Sequence, residues 1–159
     1  MAKMLICYYS RTKHTEHMAK AVADGARQVS GVDVDVKPVE AVEAAALRGY
    51  DAIIMGSPTY YGTMAAELKR LLDESVAFHG QLDGKVGGAF ASSANIGGGN
   101  ETTVLDIVTA LMIHGMVLQG SPLGDHYGPV AIGDVDDRSR KECVKMGKLL
   151  AALAVKLHG

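Results

Sequence analysis

Two hydrophobic rhythms alternate along this chain. Met4-Leu5-Ile6-Cys7-Tyr8 is an unbroken apolar run of strand length, as expected for a strand buried on both faces. Met18, Ala21, Val22, Ala26 and Val29 then recur at helical spacing and predict a helix that closes near Ser30-Gly31. Val32-Asp33-Val34-Asp35-Val36 alternates strictly, which predicts a half-buried strand at or near a sheet edge. The alanine-rich stretch from Glu40 to Leu47 predicts a short helix, and Asp51-Ala52-Ile53-Ile54-Met55-Gly56 a third strand. Thr63 reads as the cap of a helix whose inner stripe is Leu68, Leu71, Leu72 and Val76. Val86 to Ala91 reads as a fourth strand, with paired glycines that imply close packing by a helix.

Asn100 is placed to cap a helix that turns Val104, Ile107, Val108, Leu111 and Met112 inward and stops at Gly115. Met116-Val117-Leu118 predicts a fifth strand, continued by Val130-Ala131-Ile132 after a glycine-rich interruption. Asp136 or Asp137 starts the last helix, with Met146, Leu149, Leu150, Leu153 and Leu157 facing in. Strands alternating with helices predict an α/β fold, a doubly wound five-stranded parallel sheet of strand order 2-1-3-4-5. No linker or repeat divides it, so residues 1–159 are expected to form a single domain.

Composition narrows the partners. Apolar residues make up 48% and charged residues 21%, ordinary values for a globular protein. No apolar run reaches membrane-span length and no signal-peptide pattern opens the chain, so no membrane insertion is expected. A formal net charge of −2 argues against nucleic acid. Cys7 falls in a strand and Cys143 on a helix without metal-ligand spacing, as expected of reduced thiols in a cytoplasmic protein.

Ligands of a doubly wound sheet lie beyond the carboxyl ends of its strands, where the strand order reverses. Three such ends are rich in chemistry. After the first strand, Ser10, Thr12 and Thr15 alternate with Arg11, Lys13 and His14 where a helix begins. Unpaired N–H groups and the helix dipole make that place suit a phosphate, although any single hydroxyl there equally reads as a helix cap. The pattern is neither a Walker P-loop nor a Gly-x-Gly-x-x-Gly turn. After the third strand, Pro58, Thr59, Tyr60, Tyr61 and Gly62 offer a rigid turn and flat aromatics for a planar heterocycle. After the fourth, Ser92, Ser93, Ala94, Asn95, Ile96, Gly97 and Gly98 leave room for backbone groups to approach a ligand edge. Together the three turns fit a mononucleotide with a large planar ring.

A family resemblance sits on Met1-Ala2-Lys3, Tyr8-Tyr9-Ser10, Tyr50 to Ile54, Pro58-Thr59, Gly97-Gly98-Gly99, His114 to Val117 and Ala152 to Leu157. With these the chain resembles the flavodoxin-fold NAD(P)H:quinone oxidoreductases, also called tryptophan-repressor-binding-protein-like. The spacing Ser10-x-Thr12-x-x-Thr15 is also similar to the phosphate loop of flavodoxins. The resemblance implies FMN as cofactor, with residues 10–15 on its phosphate and residues 58–62 and 92–98 along its isoalloxazine. It implies NADH or NADPH as co-substrate and a quinone as acceptor, and places His114 beside the flavin as a catalytic residue. His114 also reads simply as a helix C-cap, and His126 and Tyr127 either close the pocket or lie in an exposed loop. The alternative within the same fold is a one-electron carrier between redox-protein partners, for which a turning peptide at Gly62-Thr63 is the feature to look for. Lys13 stands where flavodoxins usually carry glycine. The chain also looks short after the second strand and between Gly120 and Gly128, where the family builds its tetramer and shared active site. Exposed apolar residues expected around Met64 and Phe78 permit a homodimer or other homo-oligomer but do not require one. A phosphoacceptor receiver domain would need acidic residues after the first strand and is set aside.

Overall fold

The computed structural model describes residues 1–159 throughout. Its sheet runs through β1 (Ala2–Tyr8), β2 (Val32–Pro38), β3 (Ala52–Tyr60), β4 (Thr63–Met64), β5 (Val86–Ser93), β6 (Val117–Leu118) and β7 (Val130–Ile132). The helices are α1 (His14–Ala26), α2 (Ala66–Glu74), α3 (Asn100–Ile113) and α4 (Asp137–His158). The parallel strands lie in the order β2-β1-β3-β5-β6, which is the expected 2-1-3-4-5 once the extra hairpin strand β4 is left out of the count.

The fifth position is divided between two short strands. β6 pairs with Val86 and Gly87 at the start of β5, and β7 pairs with Ala91, Ser92 and Ser93 at its end. Residues 119–129 bulge out between them and are fastened to α4. Asp125 accepts from Val130 N–H at 2.9 Å and from the Arg138 guanidinium at 2.7 Å, while Lys145 holds the Leu123 carbonyl.

Strand alternation divides the core into two layers. Met4, Ile6, Ala52, Ile54, Val86 and Phe90 face α1 and α4 on one side. Leu5, Cys7, Ile53, Met55, Ala89 and Ala91 face α2 and α3 on the other. The paired glycines of β5 work as expected. A Cβ on Gly88 would lie 2.5 Å from Leu150 of α4, and one on Gly87 would lie 3.2 Å from Leu111 of α3. α4 opens on a capping box in which Asp136 accepts from Ser139 N–H at 2.7 Å.

Several expectations need correction. Glu40 to Leu47 forms no α-helix: Val39–Ala41 and Ala44–Gly49 are two short 3₁₀ turns, separated by extended Val42 and Glu43. The stretch buries only Val39 and Leu47, too few anchors to hold a regular helix on the sheet. Thr63 is a strand residue, and Ala65 takes the cap position of α2. Val76, Met112 and Leu157 are exposed although helical spacing turns them inward. Each lies at or past a helix end, where the stripe has rotated off the core. Met64 and Phe78, expected at the surface, are buried, and the exposed apolar residues of that side are Val76, Met112 and Ile113.

Cys7 and Cys143 are both free and fully buried, and burial pushes each thiol up to about 12. Only the thiolate is nucleophilic, so neither thiol is expected to react with Ellman's reagent in the native protein. Both should react once the chain is unfolded, and rapid native labelling of either would contradict this packing.

Candidate functional site

The carboxyl ends of β1, β3 and β5 open onto one crevice of ≈ 570 Å³, lined by residues 11, 12, 14 and 15, 58–60, 92–94, and Gly133. This is within the range of small-molecule and cofactor sites. A smaller cavity of ≈ 130 Å³ lies behind the 119–129 bulge, against Gly87, Gly88 and Leu150. It has none of the three chemistry-bearing turns in its wall.

The first turn is rich in unpaired donors. Lys13 takes the left-handed conformation, φ 71°, immediately before α1. The resemblance to flavodoxins puts glycine here, and this lysine adopts the same kind of backbone at a strain of about 1–2 kcal/mol. The turn leaves the N–H groups of Ser10, Arg11, Thr12, Lys13, His14 and Thr15 without any backbone acceptor in the chain. Ser10 turns its hydroxyl back to accept from Glu16 N–H at 3.3 Å, so it caps the helix. Thr15 is fully buried, and its Oγ1 lies 3.0 Å from Oγ of Ser92 at the end of β5. That contact ties the first turn to the third. Arg11 and Lys13 are exposed and have no carboxylate partner, whereas neighbouring His17 is held by Asp134 at 2.8 Å.

The second turn is a tight hairpin. Thr59 pairs with Met64 and Tyr60 with Thr63, leaving Tyr61 and Gly62 as the two tip residues, at φ 49° and 80°. Positive φ at both positions is a type I′ turn, whose twist matches that of the strands it joins. Ser57 braces its base by accepting from Ala65 N–H at 2.8 Å. From α3, the Thr102 hydroxyl lies 2.8 Å from the Gly62 carbonyl oxygen and 2.9 Å from that of Gly99, and Thr103 Oγ1 lies 3.0 Å from Thr59 Oγ1. Tyr60 meets Tyr9 edge to face, with ring centres 6.3 Å apart. Burial, with the Glu67 carboxylate beside it, pushes the Tyr9 hydroxyl upward, so it stays a neutral donor.

The third turn is anchored at Ser93. Its hydroxyl donates to the Asn95 carbonyl and accepts from the Asn100 amide, and its carbonyl accepts from Gly133 N–H at 2.8 Å. Gly133, at the end of β7, is a site residue that sequence reasoning misses. It meets the crevice through its backbone, and its only sequence signal is a glycine closing the second half of a split strand.

Not every expected residue lines the crevice. Ser10, Lys13, Tyr61, Gly62, Asn95, Ile96, Gly97 and Gly98 lie outside its wall; Tyr61 and Ile96 are exposed tips of the loops beside it. His114 is displaced most. α3 starts at the rim and carries His114 to its far end, about 20 Å away for 14 helical residues. There it packs beside Phe78 and His79 and meets Ser75 at 2.7 Å. Ser75 spends its own proton on the Leu72 carbonyl, so it accepts from Nε2–H and leaves Nδ1 unprotonated and without a partner. Burial, and then the nearby His79, hold this imidazole below its ordinary range, hence neutral. Within one chain His114 is a buried end to α3 and does not reach the crevice. His126 and Tyr127 likewise border the smaller cavity rather than this one.

The sequence model of the family described as NADPH-dependent FMN reductase matches residues 37–127, more than half of the chain. The chain belongs to this family. Among curated relatives of this FMN reductase family member, the NAD(P)H dehydrogenase (quinone) of Azorhizobium caulinodans is 41% identical over 157 residues. That match covers 85% of this chain and 78% of the relative. The protein of the same name from Nitrobacter winogradskyi is 39% identical over 200 aligned residues, covering both chains whole. Against 159 residues here, that alignment requires at least 41 gapped positions, in keeping with a shortened form. Among solved structures, a flavodoxin, WrbA-like protein from Agrobacterium tumefaciens superposes with a TM-score of 0.83 at 28% identity, covering 99% of each chain. A flavodoxin from the domain Archaea follows at 0.79 and 27%, covering 96% of this chain and 98% of its own. The fold of this family member is flavodoxin-like.

Proposed function

We propose that this chain binds FMN and uses it to pass two electrons from NADH or NADPH to a quinone. The observation that carries this is the convergence of three strand-end turns on one crevice, one of them carrying backbone N–H groups at Arg11, Thr12, His14 and Thr15 that have no acceptor in the chain. The donor set fits FMN. These N–H groups, with the side chains of Thr12, Thr15 and Arg11, form the cradle for a terminal phosphate, and helix α1 adds its dipole. Pro58, Thr59, Tyr60, Ser93 and Ala94 form the wall for the ring. When bound, FMN supplies the chemistry itself, accepting a hydride and releasing electrons to an acceptor. The chain contributes binding and orientation. The names of the curated relatives support a quinone as that acceptor.

A one-electron carrier is the alternative, and the second turn weighs against it. A carrier exploits a peptide at Gly62-Thr63 that is free to turn, whereas here the Gly62 carbonyl meets the Thr102 hydroxyl at 2.8 Å, sharing its proton with the Gly99 carbonyl at 2.9 Å. The rim also presents Arg11 and Lys13 unpaired, not the acidic ring that steers many carriers. No helix is long and apolar enough to cross a membrane, and two free buried thiols fit a reducing compartment such as the cytoplasm.

Anaerobic titration of the FMN-loaded protein tests the reading. NADH or NADPH should bleach the flavin, and benzoquinone should restore its colour over many turnovers. Failure of both nucleotides to bleach it would favour the carrier.

A further inference from the structure

The pair of hydroxyls that joins the first turn to the third is oversupplied with protons. Thr15 and Ser92 lie 3.0 Å apart, and their exposures are only 1% and 5%. Each hydroxyl brings one proton. One proton makes the bond between them, and neither oxygen has another acceptor in the chain. Thr15 does not bond back to the carbonyl four residues earlier, the usual outlet for a threonine on a helix. One buried donor is therefore left over, and both residues line the crevice.

Position decides which hydroxyl keeps it. Thr15 stands on the first turn of α1, among the six free N–H groups, where an anion is favoured. Ser92 stands at the end of β5, with Thr15 as its one partner. A charged acceptor in the cradle draws the Thr15 proton, and Ser92 must then donate to Thr15. Hydrogen bonds arranged in such a chain strengthen one another.

We infer that Ser92 is a positioning residue for phosphate: it donates to Thr15 Oγ1 and so commits the Thr15 proton to the ligand. This rests on the FMN reading and moves Ser92 from the ring wall to the phosphate end. It predicts an effect that depends on the phosphate itself. Riboflavin carries the same ring without a phosphate, so it reports the wall and not the cradle.

The experiment measures dissociation constants of FMN and riboflavin by flavin fluorescence, with the thermal midpoint of each apoprotein recorded alongside. Ser92→Ala should weaken FMN about tenfold and riboflavin by less than about twofold, a loss of the order expected for one hydrogen bond to a charged chain. Thr15→Val should weaken FMN at least as much. The double variant should be no worse than Thr15→Val alone, because one chain of bonds is lost only once. Ser92→Thr, which keeps the hydroxyl, should recover most of the FMN affinity. Equal loss for FMN and riboflavin would overturn the inference, as would additive losses in the double variant; either would make Ser92 a general brace of the rim. Wild-type protein that binds neither flavin would overturn the FMN reading and this inference with it, a result that no Ser92 variant can mimic.

Discussion

Gly147→Val is expected to destabilise the fold by about 3 kcal/mol, the upper range for overpacking a tight core. The reason is the crossing of α1 and α4, where two glycines let backbone touch backbone. A Cβ on Gly147 would lie 1.9 Å from the Val22 carbonyl oxygen, and one on Gly25 would lie 2.0 Å from that of Val144. No rotamer relieves these overlaps, because both obstacles are main chain. The helices must move apart, and the layer of Met18, Val22, Met146 and Leu150 that they share would open with them. For a chain of this size the thermal midpoint should fall by roughly 6–12 °C. Gly49→Ala is the control, since nothing lies within 4 Å of its Cβ position. It should shift the midpoint by no more than a degree or two. Equal midpoints for Gly147→Val and wild type would mean that the two helices do not cross as described.

Much of this architecture is legible in the sequence because its determinants are local and repetitive. The continuous apolar runs of β1, β3 and β5 are buried on both faces, and strict alternation in β2 marks the sheet edge. The split fifth strand is legible too, since two short apolar runs on either side of a glycine-rich interruption can share one position at the sheet edge. The hairpin after β3 is not. Thr63 is a favoured cap residue, but here its hydroxyl goes to Asp106 and its backbone pairs with Tyr60. The usual turn signal, Asn-Gly or Asp-Gly, is replaced by Tyr61-Gly62, with a tyrosine forced to positive φ.

The candidate site divides along the same line. Thr12, Thr15, Thr59 and Ser92 line the crevice at or just beyond the carboxyl ends of β1, β3 and β5, where residue type and position already say something. Gly133 acts through its backbone and Ser10 turns back to its own helix, and neither fact has a sequence signature. His114 shows the limit of carrying a role across by position. Its place in the sequence matches the family, but the length of α3 sets it at the opposite end of the sheet from the same chain's crevice. The glycine run likewise draws residues 95–98 toward a ligand on paper, although three glycines fix nothing about where a loop points.

FMN should bind at least a thousandfold more tightly than riboflavin. A hydrogen bond to a charged group is worth about 1.5–3 kcal/mol, and the cradle offers the N–H groups of Arg11, Thr12, His14 and Thr15 and the Thr12 and Thr15 hydroxyls. Three of these bonds, even at the low end, amount to about 4.5 kcal/mol, which is a factor of more than about a thousand. The ring wall contributes nothing to this ratio, since both flavins share it. The unpaired charges at the rim should act differently from the cradle. Arg11 and Lys13 are exposed, so their attraction is screened by salt and should fade above about 0.15 M. The selectivity left at high salt then measures the oriented N–H and hydroxyl donors alone. Fluorescence titrations of both flavins across a salt series separate the two contributions. If FMN and riboflavin bind equally at every salt concentration, the turn after β1 is only a helix cap and the crevice holds no phosphate. If selectivity exists at low salt and vanishes at high salt, it belongs to the two exposed cations and the oriented donors contribute nothing.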